Sequence, residues 1–174
     1  MRALQTMQPL AVATGLPPQV DVQFFEAGGI YSSSGGAALG GLARSEMVAE
    51  FPTFSVPPAV TDSGWYHASG KESNAACRSR VALLAIRLKA EARALRSRST
   101  VLVVTHHDTI CALLEALVVP ERDFGDGGFL AFKTANTSVT VVDIDGASGE
   151  VLLTLLGSVP HLASHGDLVT AAAM

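Results

Sequence analysis

The sequence is poor in cysteine and contains no apolar segment long enough to cross a membrane. Only Cys77 and Cys111 are present, and each falls in a pattern typical of a buried helix face, not of an exposed disulfide pair. No apolar run approaches the roughly 18 residues that span a bilayer. The first segment is interrupted by Gln5, Gln8 and Pro9, unlike a signal peptide. These absences predict a cytoplasmic protein with no membrane partner.

Charged residues are also scarce, at 16% of the chain, whereas hydrophobic residues make up 48%. This composition is too apolar for a disordered chain, and 174 residues suffice for one domain with a substantial core. The net charge is −4, and the one local basic run, Arg93, Arg96 and Arg98, is typical of a solvated helix C-terminus. Because nucleic-acid binding needs a high pI and clustered basic residues, we expect no nucleic-acid partner.

The sequence predicts four helices. Apolar residues at three- and four-residue spacings mark Arg2 to Thr14 and Ser73 to Leu95. A short helical stretch is expected around Ser45 to Glu50, and another helix from about Thr109 to Val118, with Pro120 beyond its end. Asp108 stands before the last of these and is its expected N-cap.

Segments rich in β-branched residues predict strands between and after the helices. Val101 to Val104 is an unbroken apolar run, as in strands buried on both faces of a parallel sheet. Alternation of strands with long helices predicts an α/β layer fold. The other predicted strands are Val20 to Phe25, Phe129 to Phe132, Ser138 to Ile144 and Val151 to Leu156.

Two segments have no periodicity. Residues 32–41 are rich in Ser, Gly and Ala and predict a flexible surface loop. Phe51 to Gly70 is a long irregular connection that contains Trp65 and Tyr66. We expect these aromatic residues to pin the connection to the body of the domain, although a place in a substrate pocket is the alternative.

The pair His106-His107 follows the predicted buried strand and precedes a helix. Ligands bind at the carboxyl edge of α/β sheets, where backbone N–H groups and the helix dipole favour anions, so a histidine there suits phosphate chemistry. The alternative is a structural role for one of the two rings. Metal binding is disfavoured, because adjacent side chains diverge and no third ligand other than Asp108 is a candidate nearby. We expect no metal and no other cofactor.

Glu26 and Arg2 are the other candidate site residues. Glu26 ends a predicted strand and precedes two glycines, so its carboxyl group could lie at the same sheet edge as a proton donor. A surface glutamate is the alternative. Arg2 leads the first helix, where a cation opposes the dipole, and a bound phosphate would explain it because the guanidinium fork matches two phosphate oxygens.

Together these residues resemble the histidine phosphatase (phosphoglycerate mutase-like) superfamily. The family's phosphate-pocket arginine, in an Arg-Ala-x-x-Thr helix start, is matched by Arg2 to Thr6. Its glutamate proton donor is similar to Glu26 in Phe-Phe-Glu-Ala-Gly-Gly, and its second core histidine is matched by His106 in Val-Leu-Val-Val-Thr-His. The segments Asn136 to Thr140 and Val159 to Leu162 also look like the family's closing strands and tail.

The resemblance implies a three-layer sandwich with a mixed, mostly parallel sheet, and hydrolysis of a phosphate monoester on a small molecule or a phosphoprotein. In the family, the histidine of an Arg-His-Gly motif takes the phosphoryl group and a glutamate protonates the leaving oxygen. An arginine and the second histidine stabilise the charge of the transition state. By resemblance, His106 and Glu26 are catalytic, and Arg2 and His106 bind phosphate.

The chain departs from the family in two places. His107 stands where members usually have glycine, and no Arg-His-Gly occurs among the 174 residues. The resemblance therefore implies a single domain over residues 1–174 that is incomplete at its N-terminus and lacks its first strand. Unpaired strand edges would favour instability or a homo-oligomer. We expect weak or no catalysis, and the alternative is a noncatalytic protein that binds phosphate or a partner protein.

Overall fold

The computed structural model describes residues 1–34, 36–121, 125–132 and 134–170. All four predicted helices are present, with ends within about two residues of the predicted ones. None of them is long and apolar enough to cross a membrane within these ranges. The helices are α1 (Arg2–Thr14), α2 (Arg44–Glu50), α3 (Asn74–Ala94) and α4 (His107–Val118), and short 3₁₀ turns cover Val22–Phe24, Pro160–Leu162 and Gly166–Leu168.

The sheet formed by the described residues has two antiparallel strands, β1 (Val139–Ile144) and β2 (Val151–Ser158). Ile144 lies opposite Val151, and register shifts within β1 mark bulges. The turn between the strands is closed by Asp145, whose carboxylate accepts the backbone N–H groups of Ala147 and Ser148. The hairpin confirms two of the predicted strands. The predicted mostly parallel sheet is not observed among the residues that the structure describes.

Three predicted strands are wrong. Val20 to Phe25 contains a 3₁₀ turn, and its neighbour Gln19 forms only an isolated bridge with Ser55. Val101 to Val104 and Phe129 to Phe132 are irregular. A strand needs a partner whose N–H and C=O groups complete its hydrogen bonds. β-branched composition predicts extended backbone but cannot supply that partner.

The described residues of the Ser/Gly-rich segment 32–41 form backbone hydrogen bonds and β-bridges. Tyr31 bridges Ala38, and Ala37 bridges Gly70. The N–H of Ser32 donates to the carbonyl of Ala37 at 2.8 Å. The segment is therefore bridged to Tyr31 and Gly70 through Ala37 and Ala38, and its flexibility stays a prediction.

Two apolar clusters form the core, and the segment 20–27 runs between them. Val20 and Val22 pack against the first cluster, and Phe24 and Ala27 against the second. This segment also carries Glu26, so core packing sets the position of that carboxylate. The first cluster consists of Met47, Phe51, Phe54, Val56 and Val60, with Leu4 and Met7 of α1 against it; the second consists of Cys77, Val81, Leu84 and Ala112 of α3 and α4.

Both cysteines are buried and unpaired, as their helical patterns predicted. Cys77 is fully buried in α3, and this burial raises the pKa of its thiol to about 12. Burial also raises the pKa of Cys111 in α4. Because the thiolate is the reactive form, neither side chain is placed for nucleophilic chemistry.

A buried ion pair joins α3 to α4. The Nε of Arg78 lies 3.0 Å from Oε2 of Glu115, and the two side chains are 15% and 4% exposed. The other carboxylate oxygen accepts the N–H of Leu130. The pair therefore holds the loop that leads from α4 toward β1. Arg78 also donates to three carbonyl oxygens of that loop, those of Gly125, Gly127 and Gly128.

Replacing Glu115 with alanine should lower the free energy of unfolding by about 3 kcal/mol, because it removes a buried carboxylate that pairs with Arg78 and accepts the N–H of Leu130. Urea denaturation followed by circular dichroism measures the loss. The matched control is Glu91→Ala, which removes an exposed partner 3.6 Å from Arg87 and should cost less than about 1 kcal/mol. If both variants lost the same free energy of unfolding, burial would not be what makes the Arg78–Glu115 pair stabilising.

Candidate functional site

One cleft contains three of the residues that the sequence singled out. It has a volume of about 880 Å³ and lies between α1 and the segment 100–104. Arg2, Glu26 and His106 all line it, although they come from distant parts of the chain. The fold therefore brings together the predicted arginine, carboxylate and histidine.

His106 is the N-cap residue of α4, with extended backbone at φ −124° and ψ 163°. The side chain is half-buried in the cleft wall, and this burial lowers the pKa of the imidazole. Glu26 acts in the opposite direction through its negative charge, and Arg2 lowers the pKa further. Burial prevails, so His106 is neutral at neutral pH and offers one N–H donor and one acceptor.

Glu26 completes the N-terminus of α4. Its Oε1 accepts the N–H of Ala27 at 2.9 Å and the N–H of Thr109, in the first turn of the helix, at 3.2 Å. The prediction that Asp108 caps α4 is wrong, because Asp108 lies exposed inside the first turn. The N-cap residue is His106, and its side chain forms no capping hydrogen bond with the helix. A carboxylate at this end is favoured by the helix dipole. The second oxygen, Oε2, has no protein hydrogen bond among the described residues and is available to a ligand.

Two threonines fix the backbone that carries Glu26. The hydroxyl of Thr105 donates to the carbonyl of Phe24 at 2.7 Å, and that of Thr109 donates to the carbonyl of Phe25 at 2.6 Å. Thr109 is fully buried. Neither threonine was predicted to belong to the site, although their positions on either side of the histidine pair are a signal for it. They hold the candidate acid beside the candidate histidine.

Phe25 is locked by an aromatic and cationic cluster. Its ring centroid lies 5.5 Å from that of Trp65 and 5.4 Å from that of Tyr66, and the guanidinium of Arg80 lies 3.6 Å from it. Tyr66 packs directly on Gly29, where a Cβ would overlap its ring. The expectation that Trp65 and Tyr66 pin the long connection is confirmed, and Trp65 lines the cleft as well.

Arg2 is exposed at the first turn of α1. In the ranges that the structure describes, its guanidinium forms no hydrogen bond and no ion pair. The helix has no side-chain cap and no acidic residue in its first turn. The N-termini of α1 and α4 both border the cleft, and their N–H groups and dipoles favour an anion between them.

His107 does not belong to the cleft. Its Nδ1 lies 2.7 Å from the hydroxyl of the buried Thr134, and its Nε2 lies 3.8 Å from the sulfur of Cys111. The two adjacent rings therefore occupy different environments, as the divergence of neighbouring side chains predicts. His106 is the candidate site residue, and His107 connects α4 to the segment before β1.

Three further cationic or imidazole side chains, those of Arg44, His67 and His161, make structural contacts. No group of three or more histidine, cysteine, aspartate or glutamate side chains suited to a metal ion is found among the residues described. Arg44 donates to the carbonyl of Pro57 at 2.8 Å, His67 lies 3.2 Å from the carbonyl of Ala59, and His161 lies 3.0 Å from the hydroxyl of Thr137.

Comparison with known proteins identifies the family. No curated protein matches the chain. The sequence model described as "Histidine phosphatase superfamily (branch 1)" matches residues 1–155, a range that includes Arg2, Glu26 and His106. The match confirms the resemblance seen in the sequence and the α/β class of the fold. Since it covers most of the 174 residues, the chain belongs to the histidine phosphatase superfamily.

Proposed function

We propose that this protein binds the phosphate group of a phosphate monoester, on a small molecule or a phosphoprotein, between Arg2, His106 and Glu26. The observation that carries the proposal is the guanidinium of Arg2, which has no partner within the described chain and lies in the same cleft as the other two side chains. A cation at a helix N-terminus is unfavourable without a compensating anion. A phosphate would supply that negative charge.

Each side chain has a distinct role in this proposal. The guanidinium of Arg2 binds two phosphate oxygens through parallel hydrogen bonds. The neutral imidazole of His106 donates its N–H to a third oxygen and becomes more basic as it does so. The carboxyl group of Glu26 is anchored through Oε1, so Oε2 is the atom that would protonate a leaving oxygen.

Membership of the superfamily supports phosphatase or mutase-like chemistry in general. We infer a phosphatase that works through a phosphohistidine when the family's Arg-His-Gly segment is present, on the three-layer sandwich with a mostly parallel sheet. We prefer a phosphatase to a mutase because no described residue of the cleft demands a phosphoglycerate. The cleft offers His106 but no Arg-His-Gly histidine, so hydrolysis by these 174 residues should be slow. A cytoplasmic location stays a prediction.

A second candidate function is phosphate or partner binding without catalysis. His107 favours it, because its ring is held by Thr134 and Cys111 away from the cleft and cannot replace a missing nucleophile. Among the residues that the structure describes, His106 is then the single imidazole lining the cleft. The two candidates share the phosphate pocket and differ in turnover alone.

Hydrolysis of an aryl phosphate at acidic to neutral pH, without added metal, separates these candidates. The 174-residue chain should be at least about a thousandfold slower than the same chain joined to a family segment that carries Arg-His-Gly. His106→Ala should abolish the activity of the joined form. Rapid turnover by the short chain would contradict the assignment of the nucleophile, and silence in both forms with phosphate still bound would favour the noncatalytic function.

Inorganic phosphate should bind this chain, and Arg2→Ala should weaken binding at least about tenfold, because it removes two charge-assisted hydrogen bonds. Isothermal titration calorimetry measures the affinity. Arg96→Ala is the matched control, since Arg96 is exposed and lies outside the cleft, and it should leave the affinity unchanged. If both variants lost the same affinity for phosphate, the loss would follow from net charge alone, and the proposed role of Arg2 would be wrong.

Acidification should destabilise the protein partly through His106. Its pKa is lowered in the folded state, so the unfolded chain takes up the proton first, and stability falls as pH drops through the ordinary histidine value of about 6.5. In urea denaturation, His106→Gln should reduce this loss of stability at low pH, whereas the exposed control His165→Gln should not.

Phosphate should raise the pKa of His106 in an NMR titration, and an unchanged pKa would argue against contact between His106 and the phosphate.

A further inference from the structure

The ring of Trp65 is fixed beside the residue that precedes the candidate proton donor. Its backbone N–H donates to the carbonyl of Gly40 at 2.8 Å. Its ring centroid lies 5.5 Å from that of Phe25, the residue before Glu26, and 5.7 Å from that of Tyr66. The side chain is only partly buried and lines the cleft of the candidate site. A rigid aromatic group is therefore available to a ligand next to Glu26.

Two aliphatic side chains, those of Ile30 and Leu42, extend this apolar surface. A Cβ at Gly41 would overlap the indole nitrogen of Trp65 and would lie 3.0 Å from Cδ1 of Ile30, so the two side chains converge. Leu42 packs against the same core cluster as Trp65. All three side chains line the cleft and are partly buried. Together, Ile30, Leu42 and Trp65 form what we call the Trp65 surface.

The indole N–H of Trp65 is the polar group of this surface. Within the described chain it forms no hydrogen bond to the protein, and it is not sealed from solvent. A tryptophan N–H that becomes buried usually bonds an acceptor. A ligand that covers the ring could therefore place one acceptor there.

The other charged side chains of the cleft, apart from the candidate site residues, interact with one another. Arg87 forms an ion pair with Asp21, and its Nε lies 3.6 Å from Oε1 of Glu91. A group with many hydroxyls, such as a sugar, needs several free polar partners, because a buried hydroxyl without a hydrogen bond is costly. The Trp65 surface offers a single donor. It therefore favours an apolar organic group.

We propose that the organic group of the phosphate monoester is aromatic and packs on the Trp65 surface while its phosphate binds Arg2 and His106. This inference rests on the proposed phosphate site and adds the class of substrate. Glu26 is the residue that would protonate the leaving oxygen, so the group attached to that oxygen lies beside Glu26, where Phe25 holds the ring of Trp65. Contact between aromatic rings stabilises a complex beyond the area that they bury.

Isothermal titration calorimetry with three phosphonates tests the class of substrate, because a C–P bond is not hydrolysed during the titration. The ligands are methyl-, cyclohexyl- and phenylphosphonate, all as dianions. Phenylphosphonate should bind at least about tenfold more tightly than methylphosphonate, since it buries an apolar ring, and about threefold more tightly than cyclohexylphosphonate, since its ring is aromatic.

The outcomes separate this inference from the phosphate site itself. If phosphate binds but phenylphosphonate binds no more tightly than methylphosphonate, the organic group is not apolar and the inference is wrong, although the phosphate site stands. Equal affinities for the phenyl and cyclohexyl ligands would overturn the aromatic preference. If neither inorganic phosphate nor any phosphonate binds, the proposed phosphate site is wrong as well.

Variants of the Trp65 surface test the contact through the ratio of the phenylphosphonate affinity to the methylphosphonate affinity. Trp65→Leu should lower this ratio at least about fivefold, because it removes the aromatic ring. Ile30→Ala should lower it about threefold without disturbing the aromatic packing, which keeps the inference testable if Trp65→Leu does not fold. The matched control is Tyr31→Leu, an aromatic residue 38% exposed that is not among the residues lining the cleft, and it should leave the ratio unchanged. The same ratio in Trp65→Leu as in Tyr31→Leu would contradict the contact.

Fluorescence gives a direct readout, because Trp65 is the one tryptophan among the 174 residues. Saturating phenylphosphonate should quench or shift its emission more than methylphosphonate does, and equal spectra with the two ligands would overturn the contact. A peptide that carries the phosphonate on an aromatic side chain then distinguishes the source of the aromatic group. Tighter binding of the peptide than of phenylphosphonate would assign it to a phosphoprotein, and equal or weaker binding would assign it to a small molecule.

Discussion

Two threonine hydroxyls hold the segment 24–26 against the start of α4, and the geometry of the site depends on these bonds. Thr105 and Thr109 bind successive carbonyl groups, those of Phe24 and Phe25, so the next residue, Glu26, places its carboxylate on the helix N-terminus. The same segment packs its apolar side chains into both core clusters. The candidate acid is therefore positioned by contacts that also hold the domain together.

The cleft is chemically asymmetric. One end has the N-termini of α1 and α4, the free guanidinium of Arg2 and the half-buried imidazole of His106. Glu26 uses one oxygen to bond the helix and leaves the other open to the cleft. Because positive partial charges converge here with few protein acceptors, an anion is the ligand that the electrostatics favour. The charges alone lead to this conclusion, and membership of the histidine phosphatase superfamily agrees with it.

Among the described residues, the opposite wall of the cleft is not part of a sheet. Residues 101–104 lead directly into His106, yet their backbone groups are unpaired in the described chain. The position of His106 therefore depends on α4 and on the hydroxyl of Thr105, not on neighbouring strands.

Local periodicity in the sequence determined the four helices and the β1–β2 hairpin, because helix and hairpin hydrogen bonds join residues that are near in sequence. The positions of Arg2, Glu26 and His106 at strand and helix ends, with the family resemblance, singled them out as candidate site residues. Tertiary structure alone decided that Val101 to Val104 is unpaired, that His106 and not His107 lines the cleft, and that Glu26 and not Asp108 bonds the helix N-terminus. These outcomes depend on partners distant in the chain, which composition and spacing cannot specify.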